Sequence, residues 1–159
     1  MKNLFRHLFS FILPITVLII VPLCIEKNIS PHNILVTITG CLIISSGLLI
    51  LILTISRFAT IGRGTLAPWS PTKKLVISGL YRYVRNPMII GVLLVLIGES
   101  VTVLSIYIFS WAVLFFFINT TYFIVFEEPG LKKRFGDEYL EYKQHVRRWI
   151  PRITPYNPL

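Results

Sequence analysis

Residues 88–126 form a nearly unbroken apolar run, and its length limits what the chain can fold into. As a single helix the run would span roughly 58 Å at 1.5 Å per residue, about twice the hydrocarbon core of a bilayer. The run must therefore fold back on itself. Its one charged residue, Glu99, and the polar Ser105 lie between Gly98 and Tyr107. The sequence thus predicts a hairpin of two helices, with the turn in that interval.

Two further apolar stretches, residues 5–24 and 34–55, are also long enough to cross a bilayer. With hairpin helices at 88–104 and 107–126, the chain has four predicted spans. Gly40 and Gly47, seven residues apart in the second span, are predicted to allow close helix packing. Hydrophobic residues make up 54% of the chain and charged residues 14%, against roughly a quarter charged in soluble domains. We expect one all-α integral membrane domain over residues 1–159, with Pro14 and Pro22 bending the first span.

The distribution of charge predicts the orientation of these spans. The connection 57–86 contains six cations and no acid, whereas the connection 26–33 has no net charge and the turn near Glu99 has no cation. Lys2 and Arg6 precede the first span, and the tail 127–159 carries seven cations against five acids. The positive-inside rule then places both termini and the loop 57–86 in the cytoplasm. We attribute the formal charge of +9 to this sidedness and expect no nucleic-acid partner.

The tail is predicted to be helical over residues 129–146, because apolar side chains recur there at helical spacing. They are Leu131, Phe135, Tyr139, Tyr142 and Val146. Such a helix would lie on the membrane or cover the cytoplasmic ends of the spans. Trp149, set among arginines, is typical of an interfacial anchor.

Two charged groups are predicted to meet at the cytoplasmic end of the hairpin. Pro87 suits the first turn of a helix, which places free backbone N–H groups beside Arg85 and favours an anion. The returning helix brings Glu127 and Glu128 to the same level. This arrangement suits a ligand of mixed charge. Alternatively, Arg85 and Glu128 pair only with each other, and the other cations serve orientation alone.

The chain resembles the integral-membrane methyltransferases of the isoprenylcysteine carboxyl methyltransferase and phospholipid N-methyltransferase group. Their signature G-x-Y-x-x-x-R-H/N-P-x-Y-x-G is matched at Gly79, Tyr81, Arg85, Asn86, Pro87 and Gly91. Their second signature, E-E-x-x-L-x-x-x-F-G-x-x-Y-x-x-Y, is matched at Glu127, Glu128, Leu131, Phe135, Gly136, Tyr139 and Tyr142. Asn86 stands where the carboxyl methyltransferases usually have His, and Ile89-Ile90 stands where the group usually has Tyr.

The resemblance implies S-adenosylmethionine as cofactor, held between helices. Its carboxylate would suit Arg85 or a tail arginine, and its ammonium and ribose hydroxyls would suit Glu127 or Glu128. An aromatic side chain would pack against the adenine or face the sulfonium. The expected cofactor-binding residues are Tyr81, Arg82, Tyr83, Arg85, Asn86, Pro87, Gly91, Glu127, Glu128, Phe135 and Tyr139.

The function that follows from the resemblance is methyl transfer to a lipophilic acceptor in the bacterial inner membrane. The acceptor would be an isoprenylcysteine-like carboxylate, a lipid amine or another small apolar molecule. Arg85 and Glu128 are the expected catalytic residues, with Glu128 as the base if the acceptor is an amine. The alternatives are an NADPH-dependent membrane reductase related to sterol reductases and a non-enzymatic scaffold or sensor. No metal site is expected, because the histidines are scattered, and Glu99 is assigned a structural role at the external turn.

Overall fold

The computed structural model describes residues 12–27, 30, 33–61 and 74–158, and all regular elements among them are helical. The five helices are α1 (Ile12–Ile25), α2 (Ile34–Thr60), α3 (Pro87–Val103), α4 (Ile106–Tyr122) and α5 (Glu128–His145). A 3₁₀ turn, Gly79–Arg82, precedes α3. The expected all-helical class is confirmed. The part of the first predicted span that precedes Ile12 lies outside the described residues, and so do residues 62–73 of the predicted cytoplasmic loop.

Helix α1 contains a π-helical turn, Thr16–Ile20, just before Pro22. Proline has no N–H to continue an α-helical ladder, and a wider turn accommodates this gap. Within it the Val21 N–H bonds to the Thr16 carbonyl instead of the Val17 carbonyl. The Val17 oxygen accepts a bond from Trp111 Nε1 of α4 at 3.1 Å, so the π turn connects α1 to α4.

Helices α2 and α3 approach each other closely through two pairs of glycines. A Cβ atom on Gly40 would lie 2.8 Å from the Gly98 carbonyl oxygen, and one on Gly47 would lie 2.8 Å from the Gly91 carbonyl oxygen. Small residues allow this backbone approach between helices. The sequence interpretation of Gly40 and Gly47 as packing residues is confirmed, and Gly91 lies in the same contact.

The hairpin between α3 and α4 turns at Leu104 and Ser105, inside the predicted interval. Leu104 takes a left-handed conformation, with φ 51°, and the Ser105 side chain caps α4 by accepting a bond from the Ile108 N–H. Ser105 Oγ also donates to Glu26 Oε2 at 2.6 Å. The end of α1 therefore lies beside this turn.

Helix α4 does not end where the fourth span was predicted to end. The chain stays helical through a second π turn, Phe123–Glu127, directly before Glu128 and Pro129. As at Pro22, a π turn lies immediately upstream of a proline. The chain bends later, at Gly136 inside α5, where φ is 54° and ψ is −128°. The tail helix is thus continuous with the hairpin but kinked at its middle.

Two helices among the described residues are long and apolar enough to cross a membrane, Ile34–Arg57 and Ile106–His145. Only 22% and 17% of their apolar windows are buried by the rest of the protein, so most of their apolar surface faces outward. Charged residues begin at Glu127, so α5 extends beyond the apolar part. Helices α1 and α3 are apolar but shorter. Four spans with a cytoplasmic tail stay a prediction.

Candidate functional site

One carboxylate, that of Glu128, lies at the centre of three cations. Arg85 Nη1 donates to Glu128 Oε1 at 2.8 Å, and Lys143 Nζ donates to Oε2 at 2.7 Å. Arg148 donates to Oε1 through Nε at 2.9 Å and also through Nη2. The Glu128 side chain is 9% exposed. We call these four residues, Arg85, Glu128, Lys143 and Arg148, the charge cluster.

Arg85 connects the charge cluster to the end of α5. Its Nε donates to the Val146 carbonyl at 2.9 Å, and its Nη1 also donates to the Tyr139 hydroxyl at 3.1 Å. Its backbone N–H donates to the Arg147 carbonyl at 3.0 Å. A guanidinium with several fixed acceptors is held in one orientation, so Arg85 is rigidly placed.

The tail after α5 runs back along the segment that precedes α3. The Arg152 N–H bonds to the Tyr83 carbonyl, and the Tyr156 N–H bonds to the Arg82 carbonyl, each at 2.9 Å. The side chain of Arg82 donates from Nε to the Tyr156 carbonyl at 2.8 Å. Arg82 and Tyr83 therefore hold the tail, and in the described structure neither forms a hydrogen bond or ion pair with Glu128.

An aromatic core supports this arrangement. Tyr139, Tyr142, Val146 and Tyr156 are buried together, and Leu131 and Phe135 pack against them. The predicted apolar stripe is thus confirmed, and its partners are protein residues. Tyr142 donates from its hydroxyl to the Tyr81 carbonyl at 2.6 Å, and burial raises the pKa of both tyrosines. Both phenols therefore stay protonated.

The electrostatics of Glu128 keep its carboxylate ionised. Burial alone raises the pKa, but hydrogen bonds from Lys143 and Arg148, together with the charge of Arg85, outweigh it. The pKa of Glu128 is therefore lowered overall, because opposite charges favour the ionised form. Burial, followed by the negative charge of Glu128, raises the pKa of Tyr139, so this phenol is a neutral donor or acceptor.

The two neighbouring acids do not share a site. Glu127 is 31% exposed and its nearest cation is Arg134, with 3.7 Å between Oε1 and Nη2. Successive residues on a helix point about 100° apart, and the partners of Glu127 and Glu128 differ accordingly. The acid pair expected to receive one ligand is separated into an inward Glu128 and an outward Glu127.

The remaining predicted site residues lie either beside Arg85 or in other contacts away from the charge cluster. Asn86 and Pro87 begin α3 beside Arg85, and Pro87 is fully buried. Gly91 lies at the α2–α3 contact, and Phe135 belongs to the aromatic core with the Arg134 guanidinium 5.4 Å from its ring centroid. The charge cluster therefore brings together the predicted residues Arg85 and Glu128, with Tyr139 bonded to Arg85, while Gly91, Glu127 and Phe135 make other contacts.

The sequence did not identify Lys143 as a site residue, and it assigned Trp149 to the membrane interface. A regular helix over residues 129–146 has Lys143 on its polar face, opposite the apolar stripe, but the kink at Gly136 changes the direction of the second half of α5. Gly136, a glycine inside the predicted amphipathic stripe, was the sequence feature that could have indicated this kink. The Trp149 ring packs on Phe116 and Phe123, with centroid distances of 5.1 Å and 6.4 Å.

Five buried side-chain polar atoms among the described residues have no hydrogen-bond partner. They are Ser78 Oγ, Asn86 Nδ2, Glu99 Oε2, Thr120 Oγ1 and Trp149 Nε1. Buried polar groups are normally paired, so the atoms of Asn86, Thr120 and Trp149, at the end of the hairpin that carries the charge cluster, are candidate contacts for a ligand group.

Comparison with known proteins identifies the family. Residues 35–138, more than half of the chain, match the sequence profile of the family described as phospholipid methyltransferase. The chain belongs to the phospholipid methyltransferase family. The match includes Arg85 and Glu128 of the charge cluster but ends before Lys143 and Arg148. The two cations that the tail contributes to the charge cluster thus lie outside the matched region.

A relative of the chain is an uncharacterized protein of Haemophilus influenzae, 33% identical over 63 residues. The alignment covers 40% of this chain and all of the relative. No solved structure matches the chain. Membership in the phospholipid methyltransferase family, together with the apolar helices, points to a membrane methyltransferase. Methyltransferases of this family generally use S-adenosylmethionine.

Proposed function

We propose that this protein is an S-adenosylmethionine-dependent methyltransferase of the bacterial inner membrane that acts on a lipophilic acceptor. The charge cluster is the observation that carries the proposal. Three cations surround one carboxylate, leaving two positive charges in excess at the end of the hairpin. Arg85 and Arg148 are only 11% and 18% exposed, and largely buried positive charge in excess is costly without an anion, so the cluster favours a ligand that carries a carboxylate.

The donor set fits the amino-acid part of the cofactor. Arg148 and Lys143 are 18% and 43% exposed, so they are accessible to a further carboxylate beside Glu128. Asn86 Nδ2 adds a buried donor without a partner. Tyr139, hydrogen-bonded to Arg85, provides an aromatic ring at the same place. These residues would hold the carboxylate of the cofactor and face the rest of the cofactor.

When bound, S-adenosylmethionine supplies a methyl group on a positively charged sulfur, which the nucleophilic atom of the acceptor takes by in-line displacement. Positioning does most of the work in such a reaction. Arg85 is fixed by α5 and by the residues directly after it, and Glu128 fixes Arg85, Lys143 and Arg148 relative to each other. The role of Glu128 is thus to organise the cations.

The hydrogen bonds and the pKa of Glu128 also indicate which kind of methyl acceptor the site suits. Glu128 has a lowered pKa and already accepts bonds on both oxygens, so it is poorly suited to remove a proton from an amine. An acceptor that is already anionic, such as a carboxylate, needs no base. We therefore favour an anionic acceptor that enters from the lipid, with the cofactor entering from the cytoplasm.

Calorimetry on the purified protein in detergent tests the cofactor assignment. We expect binding of S-adenosylmethionine, at least tenfold weaker in Arg85→Ala and Glu128→Gln, and unchanged in Lys132→Ala, which alters an exposed lysine of α5. Titration with NADPH in parallel tests the reductase alternative, which the family match does not favour. Binding of NADPH and not of the methyl donor would refute the proposal.

The acceptor is tested separately with membranes that express the protein. Radiolabelled methyl donor is added, and lipid, protein and small molecules are then extracted in turn. We expect the label in a base-labile ester of a lipophilic molecule. Label in a base-stable lipid amine would refute the preference for an anionic acceptor while leaving the methyltransferase assignment intact.

A further inference from the structure

We propose that Trp149 and Thr120 form a polar subsite that binds an oxygen atom of the methyl acceptor. This inference deepens the proposed function and rests on it for the identity of the ligand. The Trp149 ring packs on Phe116 and Phe123 of the hairpin. Thr120 follows Phe116 by four residues and precedes Phe123 by three, so it lies on the same helix face. The indole and the hydroxyl therefore share one location.

Both polar atoms are buried and unpartnered. Trp149 Nε1 and Thr120 Oγ1 each lack a hydrogen-bond partner among the described residues. An indole N–H is only a donor, so the missing partner must be an acceptor. Buried Trp usually finds such a partner, and the part of the chain that the structure describes provides none. The polarity of the site thus specifies an acceptor atom on the ligand.

The Thr120 hydroxyl is buried without the hydrogen bond that helical hydroxyls commonly make. Several hydroxyls in the described helices donate to a carbonyl three or four residues earlier, as expected for helical Ser and Thr. Examples are Thr37, Thr39, Ser45, Thr54, Thr60 and Thr102. Thr120 makes no such bond. Its hydroxyl is therefore available to a ligand at the place where Trp149 is also unsatisfied.

The subsite adjoins the charge cluster through the chain itself. Arg148, the residue before Trp149, donates to Glu128, and Arg147 accepts a bond from the Arg85 N–H. Asn86, whose Nδ2 we assign to the cofactor carboxylate, follows Arg85 directly. An acceptor with an oxygen-bearing polar end would thus lie between the charge cluster and α4. Donors and excess positive charge together favour a carboxylate.

The subsite is distinct from the open apolar groove on α4. That groove has a volume of about 450 Å³ and is lined by Phe117, Ile118, Thr121, Tyr122 and Phe126. Neither Phe116 nor Phe123, whose rings pack on Trp149, lines it. Thr121, the neighbour of Thr120, lies about 100° further around the same helix and therefore provides a matched control.

Binding of two lipid probes with equal chains tests the subsite. Radiolabelled oleate and oleylamine are measured against nanodiscs that contain the protein, with empty nanodiscs as background. We expect selective binding of oleate. Trp149→Phe keeps the ring and removes the N–H, and Thr120→Val keeps the shape and removes the hydroxyl. Each should weaken oleate binding about tenfold, as expected for a lost hydrogen bond to a charged oxygen.

The controls separate this inference from the proposed function. Thr121→Val should bind oleate as the wild type does, and calorimetric affinity for S-adenosylmethionine should be unchanged in all three variants. Equal oleate binding by wild type, Trp149→Phe and Thr120→Val would refute the subsite. A parallel loss of S-adenosylmethionine affinity would also refute it, since the atoms would then serve the cofactor. Failure of the wild type to bind S-adenosylmethionine, with oleate selectivity intact, would refute only the proposed function.

Discussion

Replacement of Glu128 by glutamine should destabilise the protein strongly, because one carboxylate holds three cations together. Removing one partner of a buried ion pair costs about 3–5 kcal/mol, and Arg85 and Arg148 are only 11% and 18% exposed. Lys143 is 43% exposed and adds little, since exposed pairs contribute about 0–1 kcal/mol. Glutamine keeps one acceptor oxygen, so we expect a loss near the lower limit, about 3 kcal/mol.

The adjacent residue provides the control. Glu127→Gln makes the same chemical change one position earlier, where the carboxylate has one cation at 3.7 Å and is 31% exposed. A partly exposed contact of this length contributes about 0–1 kcal/mol. The two variants therefore differ in the environment of the carboxylate and not in the substitution.

Thermal unfolding in mild detergent, followed by circular dichroism, measures the difference. A loss of about 3 kcal/mol corresponds to a decrease in Tm of roughly 6–12 °C for a chain of this size, whereas Glu127→Gln should change Tm by less than about 4 °C. Equal shifts in both variants, or a stable Glu128→Gln, would show that the three cations do not depend on this carboxylate.

Stability should also respond to pH, to added volume at the α2–α3 contact and to backbone strain at Leu104. The pKa of Glu128 is lowered in the folded state. The difference in stability between wild type and Glu128→Gln should therefore persist above about pH 5 and shrink as pH falls through the folded pKa, which thermal melts at decreasing pH will measure. Gly98→Ala adds a Cβ 2.8 Å from the Gly40 carbonyl oxygen and should cost about 1–3 kcal/mol in the same melts. Leu104→Gly removes a left-handed leucine that is 58% exposed and should raise stability by about 0.5–1 kcal/mol.

Each of these outcomes has a direct contradiction. Gly130→Ala serves as the control for Gly98→Ala, because a Cβ on Gly130 meets nothing within 4 Å; equal effects would refute close contact at Gly98. A difference in stability between wild type and Glu128→Gln that increases at low pH would contradict the lowered pKa of Glu128. A less stable Leu104→Gly would show that leucine packing outweighs backbone strain at the turn.

The parts of the fold that depend on apolar patterning and small residues could be predicted from the sequence. The turn near Ser105, the packing role of Gly40 and Gly47, and the apolar stripe of α5 were all predicted. The π turns before Pro22 and Pro129 were not, because a proline predicts a bend but not how the preceding carbonyls are accommodated. The kink at Gly136 was also missed, because a regular stripe of apolar residues concealed the change in direction.

The candidate site was only partly predictable, because its assembly depends on long-range contacts of the tail. Arg85 and Glu128 were identified, and they do meet, but their partners Lys143 and Arg148 come from chain segments that follow the Gly136 kink. The acids Glu127 and Glu128 look equivalent in the sequence. Their separation follows from helical geometry, which turns neighbouring side chains apart.

The tail is part of the site and not an appendage of it. Val146 and Arg147 accept bonds from Arg85, Arg148 bonds to Glu128, and Arg152 and Tyr156 bond to the backbone of Tyr83 and Arg82. A carboxylate between three cations needs all of them held in place, since a free lysine or arginine loses entropy on pairing. The backbone bonds to residues 82–85 fix the tail before any ligand binds, so the excess positive charge is present in advance. Such preorganisation favours an anion, which is why the proposed cofactor and acceptor both end in a carboxylate.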